Sequence, residues 1–387
     1  MIQHILKLIW NKKKSNALMI LEIFLSFMVL FFALAYVFFN TERVNQPLGF
    51  ETENRWIIYL DAIASKDSIE IITTIENLKR NLENMEEVEG VTFLDVIAPF
   101  QNNQWYDGND DNGFSMNVAI VPADKTFDEV MNVNLLEGRW FNESDLTATY
   151  KPLIVNKNFM DEYYPNVSML DSIIILQGDR KLIGVIDDYR YLGEFDEPRR
   201  IAILQEPITK LTSSVIIQLK PNINASFEEK LSKLVNTTTK SNGNVIFSLE
   251  QQRVENSREK WLMLISILLI CGFLCINVAL GLFGVLWYNI SKRKSEIGLR
   301  QALGAHSSAI TKQFILEIMI LTGFALAIGI FFAVQIPILK ITEYPDILFY
   351  KSILYSSGIM LLLVVACALF PALQAAQITP AISLHEE

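Results

Sequence analysis

Thirty consecutive residues from Trp261 to Ile290 carry no formal charge, and this run constrains the fold more than any other feature of the chain. At about 1.5 Å per residue it makes a helix of about 45 Å, more than the ~30 Å that a hydrocarbon layer requires. The run is read as a membrane helix that spans and protrudes. Directly after it comes a compact charged stretch, Ser291-Lys-Arg-Lys-Ser-Glu-Ile-Gly-Leu-Arg-Gln-Ala-Leu-Gly-Ala305, and then a second apolar segment. The charged stretch has helical order. Ile297, Ala302, Leu303 and Ile310 form an apolar stripe, Arg293, Glu296 and Arg300 point elsewhere, and Glu296 with Arg300 is an i,i+4 pair in the favourable orientation. Gly298 and Gly304 weaken a helix, and their size suits a surface that packs closely against the backbone. On spacing alone, a solvated basic loop obeying the positive-inside rule fits equally well.

Composition supports a divided membrane protein. The chain has 387 residues and is 51% hydrophobic. Residues 41–260 hold 22 Lys+Arg against 36 Asp+Glu, a net of −14, while the remainder nets +4. The acidic and basic parts are therefore expected in different compartments. Residues 1–16 read as a cytoplasmic amphipathic segment ending in Lys12-Lys13-Lys14, and 17–40 as the first span, a retained signal anchor. Residues 41–259 form an extracytoplasmic domain with a stalk, and 260–290 the second span. A cytoplasmic segment, 291–313, precedes the third span, 314–338. An outer loop, 339–352, the fourth span, 353–374, and a cytoplasmic tail, 375–387, complete the chain. Glu22 lies in the opening turns of the first span, where a near-interface position is expected because a carboxylate deep in lipid is costly.

Within 41–259 the periodicity switches between two and 3.6. Residues 55–60 read as a strand, 67–85 as a helix with Ile69, Ile72, Ile75 and Leu78 inward, and 91–98 as a second strand, giving a β-α-β unit. Strands at 116–121, 152–156, 181–191, 215–219 and 245–249 alternate with helices at 127–131, 159–164 and 227–234, and 101–113 reads as a loop. Gln251 to Lys260 contains no Pro or Gly, so stalk and second span are expected to be one continuous helix. Asp187 and Asp188 stand at a strand end. With no His between His4 and His306, a turn is favoured there over a metal site. Cys271, Cys275 and Cys367 all fall in spans, which leaves the exported domain without a disulfide.

Enzymatic patterns are missing. The sequence has no G-x-x-x-x-G-K-S/T phosphate loop, no G-x-S-x-G elbow and no H-E-x-x-H, and its three histidines stand at positions 4, 306 and 385. No catalytic residues, cofactor, metal or nucleic-acid partner is expected; membrane lipids are.

The run Arg293 to Ala305 closely resembles the cytoplasmic signature of the MacB/FtsX-like permeases, the membrane subunits of mechanotransmission (type VII) ABC transporters. Ile276-Asn277 through Gly284 and Gln313-Phe-Ile-Leu-Glu317 with Gly323 and Gly329 are similar to the family's flanking helices. Leu135 to Phe141 resembles its Gly-Arg-aromatic element, Lys181 to Pro198 its extracytoplasmic Gly-Val-hydrophobic-Asp-aromatic segment, and Pro371 to Ala381 its C-terminal element. The resemblance implies an integral membrane α-helical protein with four transmembrane helices and a large α+β domain, a MacB-like periplasmic core, between helices 1 and 2. It implies that Arg293, Glu296, Ile297, Gly298, Arg300, Gly304 and Ala305 dock on a cytoplasmic ABC ATPase, encoded separately because this chain starts at the membrane. A second permease copy, identical or related, is implied, as are a periplasmic adaptor, an outer-membrane channel and a place in the bacterial inner membrane. Export or efflux is the function expected. An FtsX-like regulator of a cell-wall hydrolase and a lipoprotein-extraction permease share the layout, and a membrane-tethered enzyme fits least.

Overall fold

The structure, a computed structural model, describes residues 13–61, 68–95, 97–101, 106–107, 117–224, 226–292, 297, 299, 303, 306–342 and 344–375. The chain divides into two compact units, Arg43–Lys260 and a unit formed by Met1–Glu42 with Trp261–Glu387.

The Arg43–Lys260 unit is built on a mixed sheet. One half consists of β1 (Arg55–Tyr59), α2 (Ser68–Glu83), β2 (Val88–Leu94), β10 (Ser214–Leu219), α5 (Ser226–Thr239) and β11 (Val245–Ser248). The spatial order is β11-β1-β10-β2, with every neighbouring pair antiparallel. This is the ferredoxin-like β-α-β-β-α-β arrangement, with residues 95–213 inserted between its second and third strands. β1-α2-β2 is therefore a split unit whose parallel strands admit β10 between them. The second half contains β3 (Tyr106–Asp107), β4 (Val118–Ala123), β5 (Leu135–Gly138), β6 (Lys151–Asn156), β7 (Ile173–Ile175), β8 (Asp179–Ile186) and β9 (Ile201–Gln205), continuing the order β4-β9-β6-β8-β5. Among the described residues the β2–β4 ladder has the single pair Leu94↔Ala123, flanked by backbone bonds from the Asp95 amide to the Pro122 carbonyl at 3.2 Å and from the Asp124 amide to the Phe93 carbonyl at 3.3 Å.

Side-chain alternation buries both faces. Ile58, Val215 and Ile217 pack under Ile75, Leu78 and Leu82 of α2 and Phe227, Leu231 and Val235 of α5. Ile57 and Ile216 point the other way, into a core with Leu94, Val121, Phe127 of α3 (Phe127–Met131) and Tyr189. The inward set of α2 differs from expectation: Ile69 is 73% and Ile72 37% exposed. A series spaced by three drifts about 60° per step around a helix, whereas 71, 75, 78 and 82 keep to one face. β2 also begins and ends earlier than expected, because Val88 already pairs with β10 and the chain turns away after Leu94.

Among the described residues, four helices are long and apolar enough to cross a membrane, at Asn16–Val44, Leu249–Tyr288, Ser308–Ile338 and Asp346–Gln374. They belong to α1 (Lys13–Val44), α6 (Leu249–Ser291), α7 (Ser307–Ile338) and α8 (Asp346–Ala375). α6 is unbroken over 43 residues, as the absence of Pro and Gly from 251–260 requires. The apolar stripes of these helices meet around Phe27, Phe31, Leu282, Leu321, Ala325 and Val364. Glu22 has a close neighbour on α6. It stands eight residues past Lys14, about 12 Å along α1, and its carboxylate lies where a Cβ on Gly281 of α6 would fall. The glycine leaves room for the acid at the α1–α6 seam, and Gly329 of α7 admits the Phe27 ring in the same way.

Candidate functional site: the segment between α6 and α7

The charged stretch starts from the last turn of α6. The Lys292 amide donates to the Tyr288 carbonyl at 3.1 Å, and its ammonium lies 4.6 Å from the centre of the Tyr288 ring. The Leu303 amide donates to the Leu299 carbonyl at 3.0 Å, an i,i+4 bond of helical type. His306 precedes α7, which begins at Ser307, seven residues before the span expected at 314. Its carbonyl accepts from the Ala309 amide at 2.9 Å.

Of the residues expected to dock on an ATPase, Ile297 is described and buried, at 3% exposure. It closes a small cluster with Ile290 of α6, Ile310 and Phe314 of α7. It is thus an anchor that ties the segment to the two helices flanking it. Arg293, Glu296, Gly298, Arg300, Gly304 and Ala305 lie outside the described residues, as does Ala302 of the apolar stripe. Leu303 corrects the stripe: it is 80% exposed, and Leu299 one turn earlier is 54% exposed. Ile297 and Ile310 share the inward side, while Leu299 and Leu303 form an outward apolar pair. The i,i+4 spacing of Leu299 from Leu303 is the signal of this pair in the sequence. Further support comes from Thr311, whose hydroxyl donates to the Ala372 carbonyl of α8 at 3.4 Å. Gln313 Nε2 donates to Glu317 Oε1 at 3.1 Å, which gives Glu317 a partner at the end of the segment.

Asp187 and Asp188 have a structural setting. Asp188 Oδ1 accepts from the Asn158 amide and from Asn156 Nδ2, both at 3.1 Å, fastening the end of β8 to the start of α4 (Lys157–Tyr163). Among the described residues no three His, Cys, Asp or Glu side chains gather as metal ligands would.

Two family models match. The MacB-like periplasmic core domain matches residues 17–234, more than half of the chain, and the FtsX-like permease C-terminal model matches 263–380. Among curated proteins, the chain is 24% identical over 276 residues to an uncharacterized ABC transporter permease, YknZ, of Bacillus subtilis, covering 67% of this chain and 68% of that one. It is 22% identical over 292 residues to the macrolide export ATP-binding/permease protein MacB of Neisseria gonorrhoeae, covering 70% of this chain and 44% of that one. Among solved structures it is similar to the periplasmic region of MacB from Actinobacillus actinomycetemcomitans, at 16% identity and a TM-score of 0.36, covering 55% of this chain and 98% of that one. It is also similar to the extracellular domain of YknZ from Gram-positive bacteria, at 13% identity and a TM-score of 0.34, covering 50% and 100%. With its four long apolar helices and its core-domain match, the chain belongs to the MacB/FtsX-like family of ABC transporter permeases.

Proposed function

We propose that this chain is the membrane subunit through which a separate cytoplasmic ATPase moves an extracytoplasmic domain, in the service of export or efflux. In this reading residues 41–259 lie outside the inner membrane between the first two spans. The 291–313 segment and both termini lie inside, flanked by Lys12, Lys13, Lys14, Lys292, Arg293, Lys294, Arg300 and Lys312. Two permease copies share one pathway, and a periplasmic adaptor and outer-membrane channel extend it. The macrolide export named for the Neisseria relative supports the outward direction.

One observation carries the coupling role: the segment is pinned from behind by Ile297 and presents Leu299 and Leu303 to its surroundings. A mere anchor has no use for two exposed leucines at helical spacing beside a basic cluster. A docking helix does, because apolar knobs set in a polar rim supply the binding energy of such contacts. Glu296, Arg300, Gly298, Gly304, Ala305 and Arg293 then provide the charge complementarity and close fit.

The test is ATPase pull-down and permease-stimulated ATP hydrolysis with Leu303→Asp, Glu296→Lys and Gly304→Leu, beside Lys292→Gln. Leu303 is already exposed, so its replacement should leave the fold intact and weaken ATPase binding by about tenfold, a loss of about 1.4 kcal/mol. Normal stimulation in all three variants would remove the coupling role.

A further inference from the structure

The segments that enter and leave the Arg43–Lys260 unit are both fastened to the loop between β8 and β9. Arg190 in that loop is 2% exposed. Its Nη1 donates to the carbonyls of Arg43 at 2.8 Å and Gln46 at 3.2 Å, and its Nη2 to those of Glu194 and of Asp196, the latter at 2.8 Å. Its own amide donates to the Leu48 carbonyl at 2.8 Å. A Cβ on Gly49, which has φ +83°, would overlap the Asp188 carbonyl oxygen. Residues 43–49, the continuation of α1, are therefore laid along 188–190 in van der Waals contact. The Arg43 side chain adds a bond to the Phe195 carbonyl at 3.0 Å and an ion pair with Glu197.

The root of α6 grips the same loop. Arg253 Nε donates to Glu194 Oε1 at 2.5 Å, Asn256 Nδ2 to the Leu192 carbonyl at 2.7 Å, and Lys260 pairs with Asp196. Gly193, at φ +116°, has the Asn256 amide where a Cβ would stand. Eight residues, 190–197, thus receive Arg43 from one side and Arg253, Asn256 and Lys260 from the other. Charge-assisted bonds that are buried or partly buried are short and strong, and a guanidinium fixed by four carbonyls resists shear in several directions at once.

The geometry points to residues 190–197 as a latch that binds the end of α1 and the root of α6 to one loop of the extracytoplasmic domain, with Arg190 as its positioning residue. Displacement of either helix is then handed to β8 and β9. Without the latch, residues 45–54, which form no helix or strand, would absorb the movement of α1 by bending. This inference rests on the reading above that an ATPase drives the helices.

The experiment uses the full chain with its ATPase in lipid nanodiscs, in a background lacking Cys271, Cys275 and Cys367. Distances are measured by paired nitroxides from Leu339→Cys to Val254→Cys in the root of α6, or to Val167→Cys on the domain, without nucleotide and with ATP trapped. All three positions are exposed, at 65%, 60% and 55%. In the otherwise unaltered chain ATP should shift both distances. Arg190→Met should keep the shift at 254 and lose the shift at 167, with ATP hydrolysis unchanged. Asp196→Lys should lose the shift at 167 as well, and Asp196→Lys with Lys260→Asp should restore it, a rescue that does not depend on Arg190→Met folding. A preserved shift at 167 in both Arg190→Met and Asp196→Lys would overturn the latch while leaving the ATPase reading standing. Distances that ATP leaves unmoved in the unaltered chain would overturn the ATPase reading, and the latch with it.

Discussion

Asp128 shows how one side chain can weigh on the fold. It sits in the first turn of α3 with Oδ1 buried and without a hydrogen-bond partner among the described residues. Burial, aided by the charges of Glu129 and Asp124, pushes its pKa up to about 6 against the bonds it gains from backbone amides. Asp124 is more deeply buried; Thr92 and Thr126 donate to its Oδ1, but burial still raises its pKa. Because the folded-state pKa of Asp128 exceeds the ordinary 3.8, folding takes up a proton between those values. The contribution is fully present below about 4 and is lost as pH rises through about 6. Asp128→Asn should therefore stabilise the fold at pH 8 by about 1 kcal/mol after discounting for its partly exposed position, read as a higher thermal midpoint. It should have little effect at about pH 3.5, below both values. Equal gains at the two pH values would show that the carboxylate's charge is not the cause.

Elements meet closely where one of them gives up a side chain. Gly281 and Gly329 are occupied within the chain, by Glu22 and Phe27, whereas a Cβ at Gly284 or Gly323 would meet nothing within 4 Å. Gly272 and Gly358 are open in the same way, so close approach between these helices is made at Gly281 and Gly329. Gly281→Leu should force α1 and α6 apart or expel the Glu22 carboxylate, costing about 1–3 kcal/mol as overpacking does. Gly284→Leu should cost far less in the isolated chain. Melting of the two variants in mild detergent separates them, and similar losses would mean that the α1–α6 seam tolerates a side chain at 281.

For the whole molecule, topology can be tested directly. Val167 and Leu303 are both exposed, at 55% and 80%, and are proposed to face opposite compartments. In a chain without its native cysteines, an impermeant thiol reagent added to spheroplasts should label Val167→Cys and reach Leu303→Cys only after lysis. Labelling of 303 but not 167 in unbroken spheroplasts would reverse the orientation.

Much of this architecture was legible in the sequence because it rests on local rules. The uncharged run 261–290 dictates a long helix, the missing Pro and Gly at 251–260 extend it into a stalk, and alternation at 152–156 and 215–219 marks strands. Ile297 was legible as an apolar position sharing a stripe with Ile310, but not as an anchor. Tertiary structure decided what local periodicity cannot express. It placed β10 between β1 and β2 although more than a hundred residues separate it from either, since strand order follows from which faces must be buried together. It turned Leu303 outward while Ile297 and Ile310 went in, it set Glu22 against Gly281, and it brought Arg43, Arg190 and Arg253 to a single loop. Each of these depends on contacts between residues far apart in the chain, where the free energy of burying a surface or satisfying a buried charge is settled only when the partner arrives.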